Sequence, residues 1–373
     1  MGNIPSSYDT AIDLSEFIGE TEHESGDMTV VANAGVTIGK LNTLLAKEGQ
    51  RLAFEVRNPE KATVGGSVAS NAPGRRQSST GGIRDWVIGM QIVLADGTVT
   101  KTGGRVVKNV QGYELHRLHT GAYGTLGIVS QAAFKLLPLP PEQQTIIAWF
   151  DDEITANEVG MKLVNGLFLP ESISAISGPL AKQTVEAAGE VVSTDDVTTL
   201  LIKLGGGVRS IERQVNEVVG AAGAAGATGY TALNDVTESS AWAKLEEAES
   251  NSTLAVRMTS RPLATLAAST TTRSKVMNLH SHDISTISDL GFGASTMLSN
   301  PENNEDASAY TTIIVDEISK NSGSYVIERC PLHVKQSRDV FSDVGSSIDL
   351  MRRIKAQYDP TNTLNPGRFV GKI

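Results

Sequence analysis

Glycines are the residues with the clearest chemical potential in this chain, and they recur in three short segments. The segments are Thr63–Gly74, Ser79–Asp85 and Gly121–Gly127. Because glycine lacks a Cβ, the backbone can approach a ligand closely, and positive φ angles let successive N–H groups point into one concavity. A concavity of this kind suits a phosphate. An isolated Gly-Gly-Ser also describes a plain turn, but three linked segments strengthen the prediction of a binding site.

Local signals predict the elements that hold these segments. Gly65 and Gly66 should open a short helix whose dipole attracts an anion. Strands Trp86–Leu94 and Thr98–Lys101 flank an Asp-Gly pair, which is typical of a two-residue type I′ hairpin. The third glycine segment leads into an apolar strand, Ile128–Leu137. The predicted site therefore lies between a helix start and a strand start.

The prolines at 138, 140 and 141 mark a predicted domain boundary. Beyond them, strand and helix signals recur in a similar order, which predicts one antiparallel sheet with helices on one face. Near the C-terminus, helix Ser347–Tyr358 should place Ile348, Met351 and Ile354 on one stripe and its basic residues, including Lys355, on the other side. We expect three parts: a first domain at 1–140, a middle domain at 141–345, and a segment at 346–373 that returns to the first.

Composition excludes several classes of function. The chain of 373 residues has a formal charge of −10, which disfavours a nucleic-acid surface, and no apolar run is long enough for a membrane span. Its single cysteine, Cys330, excludes an internal disulfide or a Cys-ligated metal cluster and favours a cytoplasmic setting. We predict no metal site, because His280-Ser281-His282-Asp283 would alternate faces in a strand. A nicotinamide-binding loop has the pattern Gly-x-Gly-x-x-Gly. Gly205–Gly207 and Gly291–Gly293 both lack a glycine at the last position of this pattern.

The glycine segments together resemble the vanillyl-alcohol-oxidase type of FAD-binding domain. The tail is similar to the small, E-type FAD-binding subunit of bacterial glycolate oxidase. The first resemblance rests on Thr63-Val64-Gly65-Gly66 with Asn71 and Gly74, Arg84-Asp85, Leu94-Ala95-Asp96-Gly97, Gly103–Tyr113 and Gly124-Thr125-Leu126-Gly127-Ile128. The second rests on Met351–Pro360 and Leu364-Asn365-Pro366-Gly367-Arg368-Phe369.

The resemblance implies an α+β fold in which an FAD-binding domain is joined to an α+β cap domain with an antiparallel sheet. It implies backbone donors to the FAD diphosphate and ribityl chain from Gly65, Gly66 and Ser67, with Asn71 and Gly81 alongside. Gly124, Thr125, Gly127 and Ile128 would line the cofactor from the second loop, and Asn365 would close the site near the flavin. The redox chemistry would belong to the isoalloxazine ring.

Two departures from the family pattern shape the functional expectation. The family's N-terminal glycine-rich loop, which wraps the diphosphate, has no counterpart before residue 63, so we expect weakened FAD binding. The histidine-rich metal motif of the larger glycolate oxidase subunit and its D-lactate dehydrogenase relatives is not found either. The resemblance therefore implies an FAD-binding subunit that supports electron transfer, while a 2-hydroxy acid is oxidised mainly on a larger flavin subunit that also works with an iron–sulfur subunit.

Two other functions stay open from the sequence. The chain could be a structural subunit without competent FAD binding, as the missing first loop suggests. It could also be a stand-alone flavin oxidase of another hydroxylated substrate. No catalytic base is assigned, and attachment to a membrane is expected only through partners.

Overall fold

The structure is a computed structural model that describes residues 2–104, 112–280 and 284–373, with His280 described by its backbone alone. Residues 105–111, which belong to the Gly103–Tyr113 motif, and residues 281–283 of the histidine motif lie outside the described residues. The chain forms two units. Unit 1 contains Met1–Leu139 and Asp343–Ile373, and unit 2 contains Pro140–Ser342.

Unit 1 is built on one antiparallel sheet with short helices packed against it. Its strands up to residue 139 are β1 Glu22–Glu24, β2 Thr29–Asn33, β3 Gln50–Leu52, β4 Val87–Val93, β5 Val99–Gly103 and β6 Ile128–Pro138. The helices are α1 Ile38–Ala46, α2 Val64–Ser70, α3 Gln77–Thr80, α4 Ile83–Trp86 and α5 Leu115–His119. The sheet order is β1-β2-β6-β4-β5, and β3 also pairs with β6. The long strand β6 therefore connects the whole unit.

Helices α1 and α2 each begin at a threonine cap. The Thr37 side chain accepts the N–H of Lys40, and Gly49 follows the helix end with a φ of +64°. Thr63 caps α2 in the same way by accepting the N–H of Gly66. Val64 and Val68 lie one turn apart on α2, and both are fully buried against the sheet. Burial of these apolar faces fixes the start of α2 beside the end of β2.

The hairpin between β4 and β5 differs from the predicted type I′ turn. The N–H of Leu94 donates to the carbonyl of Thr98 over 2.9 Å, and the N–H of Gly97 donates to the carbonyl of Leu94 over 3.0 Å. Only Gly97 of the Asp-Gly pair has a positive φ, at +83°. The connection is therefore a three-residue loop that ends in a left-handed glycine, the next most common hairpin after the two-residue forms.

Unit 2 contains one eight-stranded antiparallel sheet in the order β10-β7-β9-β8-β12-β13-β11-β14. The strands are β7 Glu142–Phe150, β8 Ser172–Ser177, β9 Thr198–Gly206, β10 Gly229–Ala232, β11 Leu254–Thr259, β12 Ser285–Asp289, β13 Ala294–Ser299 and β14 Ser324–Arg329. The helices are α6 Glu153–Val164, α7 Pro179–Ala187, α8 Val208–Ala224, α9 Asp235–Asn251, α10 Pro262–His280, α11 Asn304–Lys320 and α12 Leu332–Ser337. The single antiparallel sheet is as predicted, whereas no local signal in the sequence predicts β10, α9, β13 or α12.

Helices cover both faces of this sheet, so the expectation of helices on one face is wrong. Ile146 packs in a core cluster with residues of α6 and α8, whereas its neighbour Ile147 packs in a separate cluster with residues of α7 and α9. All of Ile146–Phe150 is buried, as expected of a strand that is covered on both sides. Helix α9 was missed because its buried side is narrow: Ala241, Leu245 and Glu249 are its buried residues.

The C-terminal segment returns to unit 1 as helix α13, Ser347–Tyr358, followed by a turn and a short 3₁₀ helix at Val370–Lys372. Lys355 is the one buried residue of α13, which contradicts its predicted place on the outer side. Among all the helices that the structure describes, none is both long and apolar enough to cross a lipid bilayer.

Candidate functional site

A cavity of about 810 Å³ lies in unit 1 where four chain segments meet. The segments are the start of α2, the loop between α5 and β6, the turn that follows α13, and a stretch of the N-terminal coil between Pro5 and Leu14. The volume falls within the roughly 300–1,000 Å³ that is typical of cofactor and small-molecule sites. Three segments that are far apart in sequence and rich in glycine or asparagine thus form one candidate site.

The sequence-predicted residues divide into two groups. Those that line the cavity are Gly65, Gly66, Gly124, Gly127, Ile128 and Asn365. Those outside the lining are Ser67, Asn71, Gly81 and Thr125. Asn71 and Thr125 of the second group form hydrogen bonds within the surrounding fold.

The amides at the start of α2 are already paired with protein acceptors. The N–H of Gly65 donates to the carbonyl of Ala34 over 2.9 Å, and that of Ser67 donates to the carbonyl of Thr63 over 2.8 Å. The N–H of Gly66 donates to Thr63 Oγ1 over 3.2 Å as part of the N-cap. This arrangement does not match the expectation that the three residues present backbone donors to a diphosphate.

Gly65 and Gly66 affect the cavity because neither residue has a Cβ. A Cβ at Gly65 would lie 2.7 Å from the Cβ of Ala34, so glycine is needed for α2 to pack beside the end of β2. A Cβ at Gly66 would meet only Thr63 Oγ1, at 3.1 Å. The wall is therefore bare of side chains at Gly66, which lets a ligand approach the backbone.

The loop between α5 and β6 docks onto the end of α2 and supplies unpaired amides. The N–H groups of Gly121 and Tyr123 donate to the carbonyls of Val68 and Ala69, each over 2.9 Å. By contrast, none of the hydrogen bonds formed among the described residues uses the N–H of Gly124 or Gly127, the other two glycines of this loop. Backbone donors for a ligand are thus found in this loop rather than at the start of α2.

Tyr123 is a lining residue that the sequence analysis missed. Its φ of +54° is unusual for an aromatic residue, and such backbone conformations concentrate at functional sites. The Tyr123 carbonyl accepts a 2.8 Å hydrogen bond from Asn365 Nδ2, and its ring stacks on Phe369 at a centroid distance of 5.5 Å. Tyr123 therefore connects the loop between α5 and β6, the second loop of the predicted site, to the turn that follows α13, the C-terminal turn.

Asn365 also has a left-handed backbone, with a φ of +44°, which asparagine tolerates better than most residues. A Cβ on Gly124 would lie 2.7 Å from Asn365 Nδ2, so a larger residue at 124 would displace the amide. The C-terminal turn and the second loop are therefore fitted to each other at the edge of the cavity.

A buried ion pair underlies both of these segments. Lys355 Nζ donates to Asp359 Oδ2 over 2.5 Å and to the carbonyls of Thr125 and Leu364, each over 2.8 Å. Burial alone would raise the pKa of Asp359. The Lys355 hydrogen bond, followed by those from the N–H groups of Thr363 and Leu364, outweighs burial and holds this pKa below its ordinary value. Thr125 is buried and contributes its carbonyl to this network rather than its side chain to the cavity.

The remaining predicted residues lie around α2 and α4. Asn71 ends α2 with a left-handed backbone, and its Oδ1 accepts the N–H of Arg84 over 3.2 Å. Gly81 ends α3 with a φ of +86°, where a Cβ would lie 2.8 Å from Asp85 Oδ2. The Ser67 hydroxyl is buried and has no hydrogen-bond partner among the described residues.

The N-terminal coil forms a side of the cavity that no sequence motif indicates. The N–H of Asn3 donates to the carbonyl of Arg368 over 2.9 Å, and that of Ser6 donates to the carbonyl of Pro366 over 2.8 Å. At the other end of the coil, the N–H of Gly35 donates to the carbonyl of Phe17 over 3.0 Å. Because this coil has no helical or strand periodicity, it could not be assigned to the site from sequence.

Two buried histidines lie on α5, next to the second loop. Burial lowers the pKa of His119 to about 4, and burial also lowers the pKa of His116, partly opposed by Glu114. The Nδ1 atoms of both rings lack a hydrogen-bond partner among the described residues. The His119 ring packs edge-on against Tyr358 at a centroid distance of 5.2 Å. Both imidazoles are therefore neutral at pH 7.

The lining fits the neutral, hydrogen-bonding parts of FAD. It offers the backbone N–H groups of Gly124 and Gly127, which have no acceptor among the described residues, and an amide side chain at Asn365, while Ile128 adds apolar surface. Among the described lining residues, Asp9 is the only acidic residue, and none is Lys, Arg or His. A diphosphate in this cavity would be held by backbone N–H groups rather than by basic side chains. In the described parts of the chain, no three His, Cys, Asp or Glu side chains cluster as a metal site would require.

Comparison with protein families identifies two matching regions. Residues 3–103 match the FAD binding domain family, and residues 342–369 match the C-terminal domain family of FAD linked oxidases. The first match includes the start of α2, and the second includes Lys355 and Asn365. Residues of both matched regions thus line or support the cavity, and the descriptions of both families name FAD.

Individual relatives are glycolate oxidase subunits and related dehydrogenases. The chain is 27% identical over 368 residues to glycolate oxidase subunit GlcD of Bacillus subtilis, an alignment that covers 94% of this chain and 77% of that protein. It is 36% identical over 123 residues to glycolate oxidase subunit GlcE of Escherichia coli, which covers 33% of this chain and 35% of that protein. The similarity to GlcE, the subunit type expected from the tail, is thus confined to about a third of each chain.

Solved structures show the same fold at low sequence identity. An alkyldihydroxyacetonephosphate synthase aligns with a TM-score of 0.68 and 15% identity, over 93% of this chain and 66% of that one. A p-cresol methylhydroxylase aligns with a TM-score of 0.68 and 18% identity, over 92% of this chain and 76% of that one. The predicted fold class is confirmed: an FAD-binding domain of the vanillyl-alcohol-oxidase type with an α+β domain built on an antiparallel sheet. The two family matches and the similarity to these relatives show that the chain is an oxidoreductase that uses FAD as its cofactor.

Proposed function

We propose that this chain is an FAD-binding subunit of a glycolate-oxidase-like complex that oxidises a 2-hydroxy acid to a 2-oxo acid. The observation that carries the proposal is the convergence of Gly66, Gly124 and Asn365 on one cavity in the unit that matches the FAD binding domain. The substrate class is supported by the relatives, whose names include glycolate, D-lactate and D-2-hydroxyglutarate. These acids share a hydroxyl on the carbon next to a carboxylate.

Bound FAD would supply the acceptor for the two electrons released when the hydroxyl carbon becomes a carbonyl. In the proposal, this chain binds FAD and supports electron transfer, while a larger flavin subunit carries most of the substrate oxidation and an iron–sulfur subunit passes electrons onward. The absence of Lys, Arg and His among the described lining residues supports this division, because those side chains usually bind a substrate carboxylate. We propose that the complex is cytoplasmic, with any membrane contact made through partners.

The test begins with the purified chain. We expect a yellow preparation with about one FAD per chain and little turnover of glycolate, D-lactate or D-2-hydroxyglutarate with a dye acceptor. A tagged chain purified from its native cells should carry a second flavoprotein and an iron–sulfur protein, and this preparation should turn over one of the three acids. A colourless chain that takes up no added FAD would contradict the proposal and favour a structural subunit.

A second candidate is a dehydrogenase that needs no partner. It is favoured by the alignment of 96% of this chain with the yeast D-lactate dehydrogenase [cytochrome] 1, at 25% identity. Full turnover by the isolated chain, purified as a monomer, would support this candidate and contradict the division of labour proposed above. The same assay therefore separates the two functions.

Gly124→Ala is expected to weaken FAD binding by displacing Asn365. The new Cβ would lie 2.7 Å from Asn365 Nδ2 and would force that amide away from the Tyr123 carbonyl. The backbone φ of +70° adds strain of about 1–2 kcal/mol for a residue with a Cβ. Gly97→Ala is a matched control, because Gly97 has a φ of +83° with no atom near its ideal Cβ.

Both alanine variants should lose stability from the left-handed backbone, measured by urea unfolding, and Gly124→Ala should lose more because it also displaces the Asn365 amide. Only Gly124→Ala should raise the dissociation constant for FAD. An equal change of FAD affinity in the two variants would show that Asn365 does not contribute to the site.

A further inference from the structure

Lys355 joins two walls of the cavity although it does not line the cavity itself. Its side chain is only 7% exposed. All three N–H donors of the ammonium are used, by the carboxylate of Asp359 and by the carbonyls of Thr125 and Leu364. One buried group therefore fixes three chain segments relative to one another.

The two carbonyls belong to the segments that face a ligand. Thr125 directly follows Gly124 and lies two residues before Gly127, the glycines whose amides are unpaired. Leu364 lines the cavity and directly precedes Asn365. The separation of the Thr125 and Leu364 carbonyls therefore sets the spacing between the second loop and the C-terminal turn. Both carbonyls are held by Lys355.

A second link between these walls depends on the first. The Asn365 amide reaches the Tyr123 carbonyl over 2.8 Å, but both residues have left-handed backbones that need support from their surroundings. Lys355 supplies that support from the buried side. Without it, the Leu364 carbonyl loses its donor, and the turn that carries Asn365 keeps only the Asn365–Tyr123 hydrogen bond and the Tyr123–Phe369 stacking as ties to the second loop.

We propose that Lys355 is a positioning residue of the flavin site. By holding the carbonyls of Thr125 and Leu364, it sets the spacing at which the Gly124 and Gly127 amides and the Asn365 side chain meet FAD. The inference rests on FAD occupying this cavity, as in the proposed function. A purely structural role for the ion pair predicts a different result, namely a loss of stability with no loss of affinity.

The experiment measures FAD affinity in folded protein. Apoprotein of the full chain is titrated with FAD, and binding is followed by flavin fluorescence at a temperature where circular dichroism shows each variant to be folded. Lys355→Met removes the link. Lys355→Met/Asp359→Asn removes it as well, but leaves no unpaired buried charge and keeps a side-chain oxygen near the N–H groups of Thr363 and Leu364. Lys355→Arg keeps the charge while changing the donor geometry.

The matched control lies in unit 2. Arg273 pairs with Glu153 over 2.6 Å, and both side chains are 16% exposed, so Arg273→Met breaks a largely buried ion pair outside the flavin unit. We expect at least a tenfold rise of the FAD dissociation constant in both Met-containing Lys355 variants, a smaller rise in Lys355→Arg, and less than a twofold change in Arg273→Met. The visible circular dichroism of bound flavin should change in the Lys355 variants alone, because it reports the surroundings of the ring.

The outcomes separate this inference from the proposed function. If Lys355→Met does not fold, the double variant provides the test, and a tenfold loss of affinity there supports the proposal. Wild-type affinity and an unchanged flavin spectrum in the folded Lys355 variants would overturn it and leave the proposed function standing. A wild-type chain that binds no FAD would overturn the proposed function, and this inference with it.

Discussion

Replacing Asp359 with alanine is expected to lower the free energy of unfolding of unit 1 by about 3–5 kcal/mol. The carboxylate is 1% exposed, and its two oxygens accept hydrogen bonds from Lys355 Nζ and from the N–H groups of Thr363 and Leu364. Alanine leaves a buried ammonium without a counter-charge and leaves the partly buried N–H groups of Thr363 and Leu364 without their acceptor. Asp359→Asn keeps an acceptor but loses the charge, so a smaller loss of about 1.5–3 kcal/mol is expected.

The same helix contains a matched exposed pair. Asp349 lies 3.6 Å from Arg352, with the two side chains 78% and 60% exposed, so Asp349→Ala should cost at most about 1 kcal/mol. Stability is measured by hydrogen exchange of peptides from β6 and α13 in increasing urea, since a chain of two units need not unfold in one step. If the two alanine variants differed by less than about 1 kcal/mol, the buried pair would contribute no more than a surface pair.

The position of Lys355 shows how a signal in the sequence can be misread. A lysine in a polar helix is normally assigned to the solvated side. Lys355, however, follows Ile348 by seven residues and Met351 by four, which places it on the same helical face as those apolar residues. The spacing indicated burial, whereas the residue type argued against it. The acceptors that make burial possible come from residues 125 and 364, which no local pattern connects to the helix.

The elements around the site were largely predictable because each has a local cause. Thr37 and Thr63 cap their helices, and Pro138 is the last residue of β6. The state of the amides in α2 was not predictable, since the partner of Gly65 is the carbonyl of Ala34, contributed by a distant segment. Gly65, Gly66, Gly124 and Gly127 line one cavity, but their hydrogen-bonding role depends on tertiary pairing.

The faces of the second sheet could be read from sequence only in part. Ile146–Phe150 is apolar throughout, and such a run indicates a strand that is covered on both sides. The helix that completes the cover, α9, has 17 residues of which only Val236, Trp242 and Leu245 are large and apolar, so its amphipathic pattern is faint. A weakly patterned helix on a strongly apolar strand explains why the sheet was predicted and one of its layers was not.

Acidification between pH 6.5 and pH 4 is expected to destabilise unit 1 through His119. The pKa of this buried imidazole is lowered to about 4, whereas an unfolded histidine titrates near 6.5. Between these values the unfolded state binds a proton that the folded state does not, so stability is full above pH 6.5 and is lost as the pH falls towards 4. The slope approaches 1.4 kcal/mol per pH unit, for a total of about 3 kcal/mol.

His119→Leu should remove this dependence. Leucine fills similar space, and it eliminates a buried Nδ1 that has no hydrogen-bond partner among the described residues, so stability at pH 7 should be unchanged or higher. His116, whose pKa is also lowered by burial, will retain part of the acid sensitivity. Asp359 acts in a separate range, because a depressed carboxyl pKa contributes stability above about pH 4 and loses it only below that value.

Val68→Ala provides the control for this pH series. Val68 is fully buried in α2 and carries no titratable group, so its truncation should lower stability by about 2 kcal/mol to the same extent at every pH. Unfolding free energies of the wild type and both variants are measured at half-unit steps from pH 7.5 to about pH 4. We expect parallel curves for wild type and Val68→Ala and a flatter curve for His119→Leu. A His119→Leu curve parallel to that of the wild type would mean that this imidazole has the same pKa in the folded and unfolded states and that another group carries the acid sensitivity.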